Sequence, residues 1–209
     1  MRQERAGDTP SACCGVVHSV EDELIFENFQ KHISLRHLEK QKLKSALLER
    51  QIGRKEIALH QGQICRKIYF VQSGSLRAFY INEDGKEFTI MFAVCDWWIT
   101  DMNCFANQNP AMLTIESLEE SQVLELDFHR LEELYKEIPK LERFFRIIFQ
   151  KAYIREQLRA LHNISYSTIE RYQQFVENYP AIVQKATQKQ IASYLGVTPE
   201  FLSTVKKKK

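Results

Sequence analysis

Residues 188–207 read QKQIASYLGVTPEFLSTVKK, and their spacing decides what the C-terminal end of the chain is. Two short helices that cross steeply over a tight turn need a small residue where they touch. They also need a turn residue able to take positive φ, and apolar side chains on both inner faces. Ala192 supplies the small contact and Gly196 the turn, while Ile191, Leu195, Val197, Leu202 and Val205 supply the inner faces. Thr198 stands where a helix cap belongs, and Pro199 at a first helical position where its missing N–H costs nothing. The expectation is a helix-turn-helix whose second helix begins at Pro199.

The second helix of such a unit reads base edges with its N-terminal outward side chains, while other groups grip phosphate. Glu200, Ser203 and Thr204 point outward from that start: Glu accepts from a cytosine amino group, and Ser and Thr contact several bases or a phosphate. Gln188 and Lys189, at the start of the first helix, are placed for phosphate, as are Lys206 and Lys207 further along the second. Thr198 and Pro199 complete the candidate DNA-binding set. Charge agrees with this reading. Lys185 to Lys209 hold six Lys against the single acid Glu200, a net of +5, whereas the preceding 184 residues carry a net of −3. The bland alternative is a helical cap followed by a solubilising lysine tail, which does not account for the joint placement of turn, cap and inner faces. Because the chain ends within or just after the second helix, any wing is expected before Gln188.

Upstream, Leu131, Leu134, Ile138, Leu141, Phe145, Ile148 and Ala152 step alternately by three and four, the repeat of a seam that faces another helix. Pro139 fits the first turn of a long helix running to about Asn163. Self-association is expected through Leu141, Phe145, Ile148 and Ala152. Phe144, Ile147 and Phe149, lying off the strict seam, suit the alternative of a helix docked on its own chain. Before this, residues 67–72, 75–81, 87–94, 113–118 and 122–126 read as short strands. They are divided by turn signals at Gln61-Gly62, Ser73-Gly74 and Asn82-Glu83-Asp84-Gly85, the last fitting a hairpin loop. Leu24 to Arg50 shows helical periodicity and predicts two short helices; 167–178 and 187–195 predict further ones.

Composition narrows the function classes. With 44% hydrophobic and 27% charged residues, seven Gly and five Pro, the chain folds rather than staying disordered. The apolar peak at 88–95 falls far short of the roughly 20 residues a membrane helix needs. The charged N-terminus does not read as an export signal, so the cytoplasm is the expected compartment and no membrane partner is expected. Five Cys, namely Cys13, Cys14, Cys65, Cys95 and Cys104, are then thiols, and no disulfide is assigned. A metal-dependent jelly-roll enzyme of the cupin type would need closely spaced His ligands. The six His contain no His-x-His or His-x-x-x-His pair, and no phosphate-cradling Gly loop or nucleophile elbow occurs. No enzyme activity, catalytic residue or metal site is expected.

The segments KIYFVQSGSLR (67–77), EDGKEF (83–88), DWWITD (96–101), IESLE (115–119) and QIASYLGVTPEFLS (190–203) together resemble the Crp/Fnr superfamily of bacterial transcription regulators. The resemblance covers the chain from Leu24 on. It implies an α+β fold with an N-terminal antiparallel β-roll (jelly roll) flanked by helices, a long dimerisation helix and a C-terminal winged helix-turn-helix. The expected division is a flexible N-terminus at 1–20, a cyclic-nucleotide-binding-like β-roll at 21–136, the dimerisation helix at 137–163 and the DNA-binding end at 164–209. It further implies a homodimer on a near-palindromic operator in double-stranded DNA, RNA polymerase as a further partner, and a small-molecule effector.

The departures from the family matter equally. Members that bind cyclic AMP use a Glu for the ribose and an Arg for the phosphate. Here Asp101 holds the acid position, the Arg region reads QNPAM (108–112), and no Arg or Lys lies between Lys86 and Arg130. A buried phosphate without a cation forfeits charge-assisted bonds worth roughly 1.5 to 3 kcal/mol each, so weak or no cyclic AMP binding is expected. Trp97, Trp98, Asp101 and Asn103 remain the candidate effector pocket, its ligand and any cofactor unknown. Iron-sulfur-sensing relatives need spaced N-terminal Cys, and the adjacent Cys13 and Cys14 are too close for separate corners of a cluster. Pro199 and Thr204 stand where better-known members carry arginines, so their operator cannot be transferred. A constitutive, ligand-independent DNA-binding dimer stays open beside an effector-controlled one.

Overall fold

A computed structural model describes residues 23–207, with side chains for 24–204. Residues 1–20, expected to be a flexible N-terminus, lie outside the described residues, as do Cys13 and Cys14. Two helices, α1 (Glu23–Gln30) and α2 (His37–Ala46), lead into strands β1 (Leu47–Ile52), β2 (Ile57–Leu59), β3 (Lys67–Ser73), β4 (Ser75–Ile81), β5 (Glu87–Val94) and β6 (Trp98–Ile99). After the short α3 (Met102–Asn107) come β7 (Thr114–Ser117) and β8 (Ser121–Asp127). The rest is helical: α4 (Phe128–Glu137), α5 (Lys140–Ser165), α6 (Thr168–Asn178), α7 (Pro180–Lys185), α8 (Gln188–Leu195) and α9 (Pro199–Lys207).

The strands form two four-stranded antiparallel sheets, ordered β1-β8-β3-β6 and β2-β7-β4-β5, facing each other as a β-roll. The β4–β5 hairpin turns at Asn82 to Gly85, where Gly85 takes φ +73° and the Asn82 side chain accepts from the Lys86 amide. At the β3–β4 junction, Gly74 has φ +86°, and a Cβ there would lie 2.2 Å from Ser121 Oγ, so both backbone and space demand glycine. One expectation fails at the roll's entrance. The helical periodicity read through Arg50 stops at Ala46, because residues 47–52 pair in register with β8, Leu47 opposite Leu126 and Ile52 opposite Ser121. A free edge on β8 outweighs helix propensity there.

Two apolar cores result. The first fills the roll and binds it to α1, α4 and the first half of α5, around Phe29, Phe70, Trp98, Leu131, Leu134, Ile138, Leu141, Phe144 and Phe145. The expected helix–helix seam is therefore split. α4 and α5 break at Ile138 and Pro139, and Leu141 and Phe145, assigned to dimerisation, are 0% and 1% exposed inside their own protomer. Large apolar side chains at a bend between helix and sheet bury against whichever surface is nearest, and here that is the roll.

The second core joins Phe92, Val94 and Leu118 of the roll to Tyr172, Phe175, Tyr179, Ile182, Ile191, Ala192, Leu195 and Leu202. Among the described residues no strand lies between α5 and α8, so the wing expected before Gln188 is replaced by α6 and α7. The sequence explains why. Ser167 and Glu170 make a reciprocal capping box, Pro180 starts α7, and Tyr172, Phe175, Tyr179 and Ile182 bury at steps of three and four.

Candidate nucleic-acid interface

The α8–α9 pair is built as a helix-turn-helix. Thr187 caps α8 through the Gln190 amide while the Gln190 side chain returns to the Thr187 amide. Gly196, at φ +68°, ends the helix, and the Val197 amide donates to the Ala192 carbonyl at 3.0 Å. Thr198 Oγ1 then accepts from the Phe201 amide at 3.2 Å and starts α9. Ile191, Ala192, Leu195 and Leu202 are buried between the helices. From α6, Arg171 donates to the Leu195 carbonyl at 2.8 Å, placing a cation at the C-terminal end of α8 where the helix dipole favours one.

The expected DNA-facing residues divide into two groups. Glu200, Thr204, Lys189 and Thr198 are exposed. Gln188 and Ser203 are turned to each other: Gln188 Nε2 donates to Ser203 Oγ and, at 2.9 Å, to the Pro199 carbonyl, so this pair locks the helices together. Half-buried Pro199 opens α9 beneath that lock. Lys206 and Lys207 extend α9, their side chains lying outside the described residues, as does that of Val205. Sequence reasoning missed Phe201, an aromatic ring 50% exposed beside Glu200. The signal was available, since residue 201 precedes inward Leu202 and shares the outward arc of Glu200 and Thr204.

The unit is seated on the outer face of the β2-β7-β4-β5 sheet. Ser193 Oγ donates to the Glu87 carbonyl at 2.9 Å and accepts from the Thr89 amide at 2.8 Å, satisfying the outer edge of β5. Arg159 of α5 donates to the Ile90 carbonyl on the same edge, and its guanidinium lies 5.1 Å from the Tyr194 ring. Below α8, Arg77 is 3% exposed and pairs with Glu87 and Glu116, and Gln190 reaches Glu116 at 3.3 Å. Lys185 pairs with Glu119.

The candidate effector residues are engaged separately in the described structure. Trp98 is 9% exposed, donates from Nε1 to Asn28 Oδ1 at 3.0 Å, and packs its ring among Phe29, Phe70, Phe144 and Phe145. Trp97 sits on the other side, against Tyr179 and beneath the Arg155 guanidinium. Asp101 is buried and already used: it accepts from the Cys104 amide at 3.2 Å, capping α3, and from the Met112 and Leu113 amides at 2.7 and 3.0 Å. Asn103 is exposed on α3. An open groove of about 680 Å³ between α4 and α5, lined by Tyr135, Phe149 and Tyr153, includes none of these four.

Leu76 and Ala78 face the inner core, whereas Arg77 between them shares the outer face with its cross-strand partner Phe92 and is engaged by two carboxylates. The segment 108–112 brings no cation. Cys104 is fully buried and its thiol is pushed up to about 11, chiefly by burial, while Cys65 is equally enclosed; neither has the exposure of a redox sensor.

The second half of α5 shows what the buried half does not. Ile154, Leu158 and Leu161 are 54%, 48% and 54% exposed, and with half-buried Ile147 they form a stripe at steps of seven, four and three. Arg155 and Arg159 face the protein on the opposite side. Of the expected dimerisation residues, Ile148 and Ala152 are half-buried, Ile148 against the first core. Among the described residues no helix is long and apolar enough to cross a membrane.

Comparison with known proteins agrees with this architecture. The cyclic nucleotide-binding domain family matches residues 49–137. The transcriptional activator FnrA of Stutzerimonas stutzeri is 26% identical over 168 residues, 75% of this chain and 68% of that protein. The activator Anr of Pseudomonas protegens is 25% identical over the same shares. In fold, the chain is similar to a regulator assigned to the Crp/Fnr family from Eubacterium rectale, with a TM-score of 0.66 at 16% identity, covering 82% of each chain. With the β-roll, the long helix and the helix-turn-helix in that order, the chain carries a cyclic nucleotide-binding domain at residues 49–137 and is similar in sequence and fold to transcriptional regulators of the Crp/Fnr family.

Proposed function

We propose that the chain acts as a homodimer that binds a near-palindromic site in double-stranded DNA through α9, and that its β-roll does not bind cyclic AMP. The observation that carries the reading is the α8–α9 unit, locked by Gln188 and Ser203 and capped by Thr198, with Glu200 and Thr204 turned to solvent at the start of the second helix. That is where a recognition helix carries its base-reading groups. Lys189, Lys206 and Lys207 supply phosphate contacts, which set affinity and salt dependence rather than sequence choice. Pairing through Ile154, Leu158 and Leu161 supports a twofold arrangement in which the two α9 helices address sites one DNA turn, about 34 Å, apart. The division of labour follows the layout: the roll at 21–136, the long helix at 137–163, and the DNA-binding end at 164–209, in a cytoplasmic protein that meets RNA polymerase on the DNA.

Selection of duplexes from a random library by the purified 209-residue chain tests this. An inverted repeat bound at nanomolar affinity, with an affinity that falls steeply as salt rises, supports it; equal binding to scrambled duplex defeats it. Titration calorimetry with cyclic AMP is expected to show no binding heat, and saturable micromolar binding would defeat that part. The packing of Trp98 against Phe29 of α1 and Phe144 and Phe145 of α5, which leaves it no face for a ligand, favours a second version, a constitutive dimer needing no effector. Under it the selected duplex binds at full strength without added small molecules. In the effector-controlled version a ligand acts only by preferring one arrangement of roll and helices.

A further inference from the structure

We infer that Phe201 is a specificity-determining residue that reads the C5-methyl group of a thymine, one base pair from the position read by Glu200. The inference rests on the proposed DNA-binding role of α9 and names what part of that surface recognises.

Phe201 is one of the large apolar side chains left half in solvent, at 50% exposure, although the second core lies one residue away at fully buried Leu202. The α9 face around it is otherwise polar: Glu200 and Thr204 are both exposed, and Thr204 Oγ1 donates back to the Glu200 carbonyl at 3.2 Å. Its backbone amide is tied to Thr198 Oγ1, which holds the residue in the capped first turn of the helix rather than at a fraying end. Gln188 and Ser203 are committed to each other, so Glu200, Phe201 and Thr204 are the described α9 side chains free to reach outward.

An exposed phenyl ring makes no hydrogen bond with a base edge. In the major groove the apolar feature is the thymine methyl, and aromatic or methyl-bearing side chains are its ordinary partners. Successive residues of an α-helix turn by about 100° and rise about 1.5 Å, so Phe201 diverges from Glu200 on the same outward arc and reaches to one side of the base pair that Glu200 addresses. Glu200 accepts from cytosine, or from adenine, through an exocyclic amino group, and Phe201 then meets a methyl beside it. Burial of the ring against that methyl removes from water the apolar area that the free protein exposes.

The test uses the duplex selected by the wild-type chain, with each thymine replaced in turn by uracil, which differs only in lacking the methyl. For wild type, one thymine per half-site is expected to lose about fourfold in affinity on replacement, the scale of one buried methyl-sized group. Phe201→Ala, whose folding is checked by its circular dichroism melt, is expected to bind more weakly and to give no loss at that thymine. Tight, selective binding by wild type with a flat uracil scan overturns the Phe201 assignment while leaving the DNA-binding reading in place. A uracil effect that persists at full size in Phe201→Ala also overturns it. Failure of the wild-type chain to select any duplex overturns the underlying reading and the inference with it.

Discussion

At the scale of single residues, two positions carry constraints out of proportion to their size. Gly74 combines left-handed backbone with a Cβ position that would meet the Ser121 side chain and backbone, the latter at 2.7 Å. Gly74→Ala is expected to cost at least about 2 kcal/mol, from the strained conformation together with the overpacking, read as a lowered urea midpoint at unchanged slope. Asp101, expected in an effector pocket, has its carboxylate spent on three backbone amides. Asp101→Ala leaves those donors without their partner, each costing about 1–3 kcal/mol if it stays dry, so the variant is expected to be markedly less stable without any ligand present. An unchanged melting temperature would return Asp101 to the role of a ligand residue.

At the scale of elements, α5 has two different halves. Phe145→Ala is expected to destabilise the protomer by about 3–5 kcal/mol, as large-to-small changes in a filled core do, without a specific effect on association. Leu158→Glu, in the exposed half, is expected to leave the melting of the protomer near wild type and to shift sedimentation from dimer to monomer; a dimer that survives this change overturns the stripe as the pairing surface. Ion pairs hold the helices around the roll. Glu39 is kept below the usual carboxylate range, first by the hydrogen bond from Lys140 and then by the Arg36 amide, and Glu137 is lowered by Lys42. A carboxylate whose folded pKa is depressed contributes stability that is full above its unfolded value and is lost as pH falls through the folded one. The stability curve is therefore expected to bend down below about pH 4.5, the ordinary value for these groups. Lys140→Met, which removes the partner of Glu39, is expected to make that acid limb shallower.

At the scale of the whole molecule, the helix-turn-helix is held to the roll by a mixed contact, apolar at Phe92 and polar at Ser193 on the β5 edge. Phe92 stacks near Phe175 and Tyr194, at ring distances of 5.9 and 5.4 Å. Phe92→Ala is expected to loosen this seat. Hydrogen exchange should rise in α6–α8 and at the β5 edge, while β3 and β8, inside the first core, keep their protection. Uniform loss of protection across both cores would mean that the molecule opens as one unit. The seat leaves Glu200, Phe201 and Thr204 in solvent, so the arrangement of roll and helices is compatible with DNA lying across α9.

Local chemistry made several features legible in advance. Gly196, Thr198 and Pro199 dictate a turn, a cap and a helix start whatever surrounds them, and Asn82 to Gly85 dictates a hairpin, so the helix-turn-helix and the β4–β5 pair could be read directly. The absence of a cation between Lys86 and Arg130 is likewise a property of the chain. What local pattern cannot express is which surface meets which. Residues 47–52 became β1 because β8 offered a free edge. Leu141 and Phe145 went into the roll because it lay against them, leaving Ile154, Leu158 and Leu161 outside. Gln188 and Ser203, fifteen positions apart, found each other across the turn, and Phe201 did not find a core. Periodicity fixes the face on which a side chain lies; only the packed tertiary structure decides whether that face meets its own chain or solvent, because burial energy depends on the surface opposite and not on the residue alone.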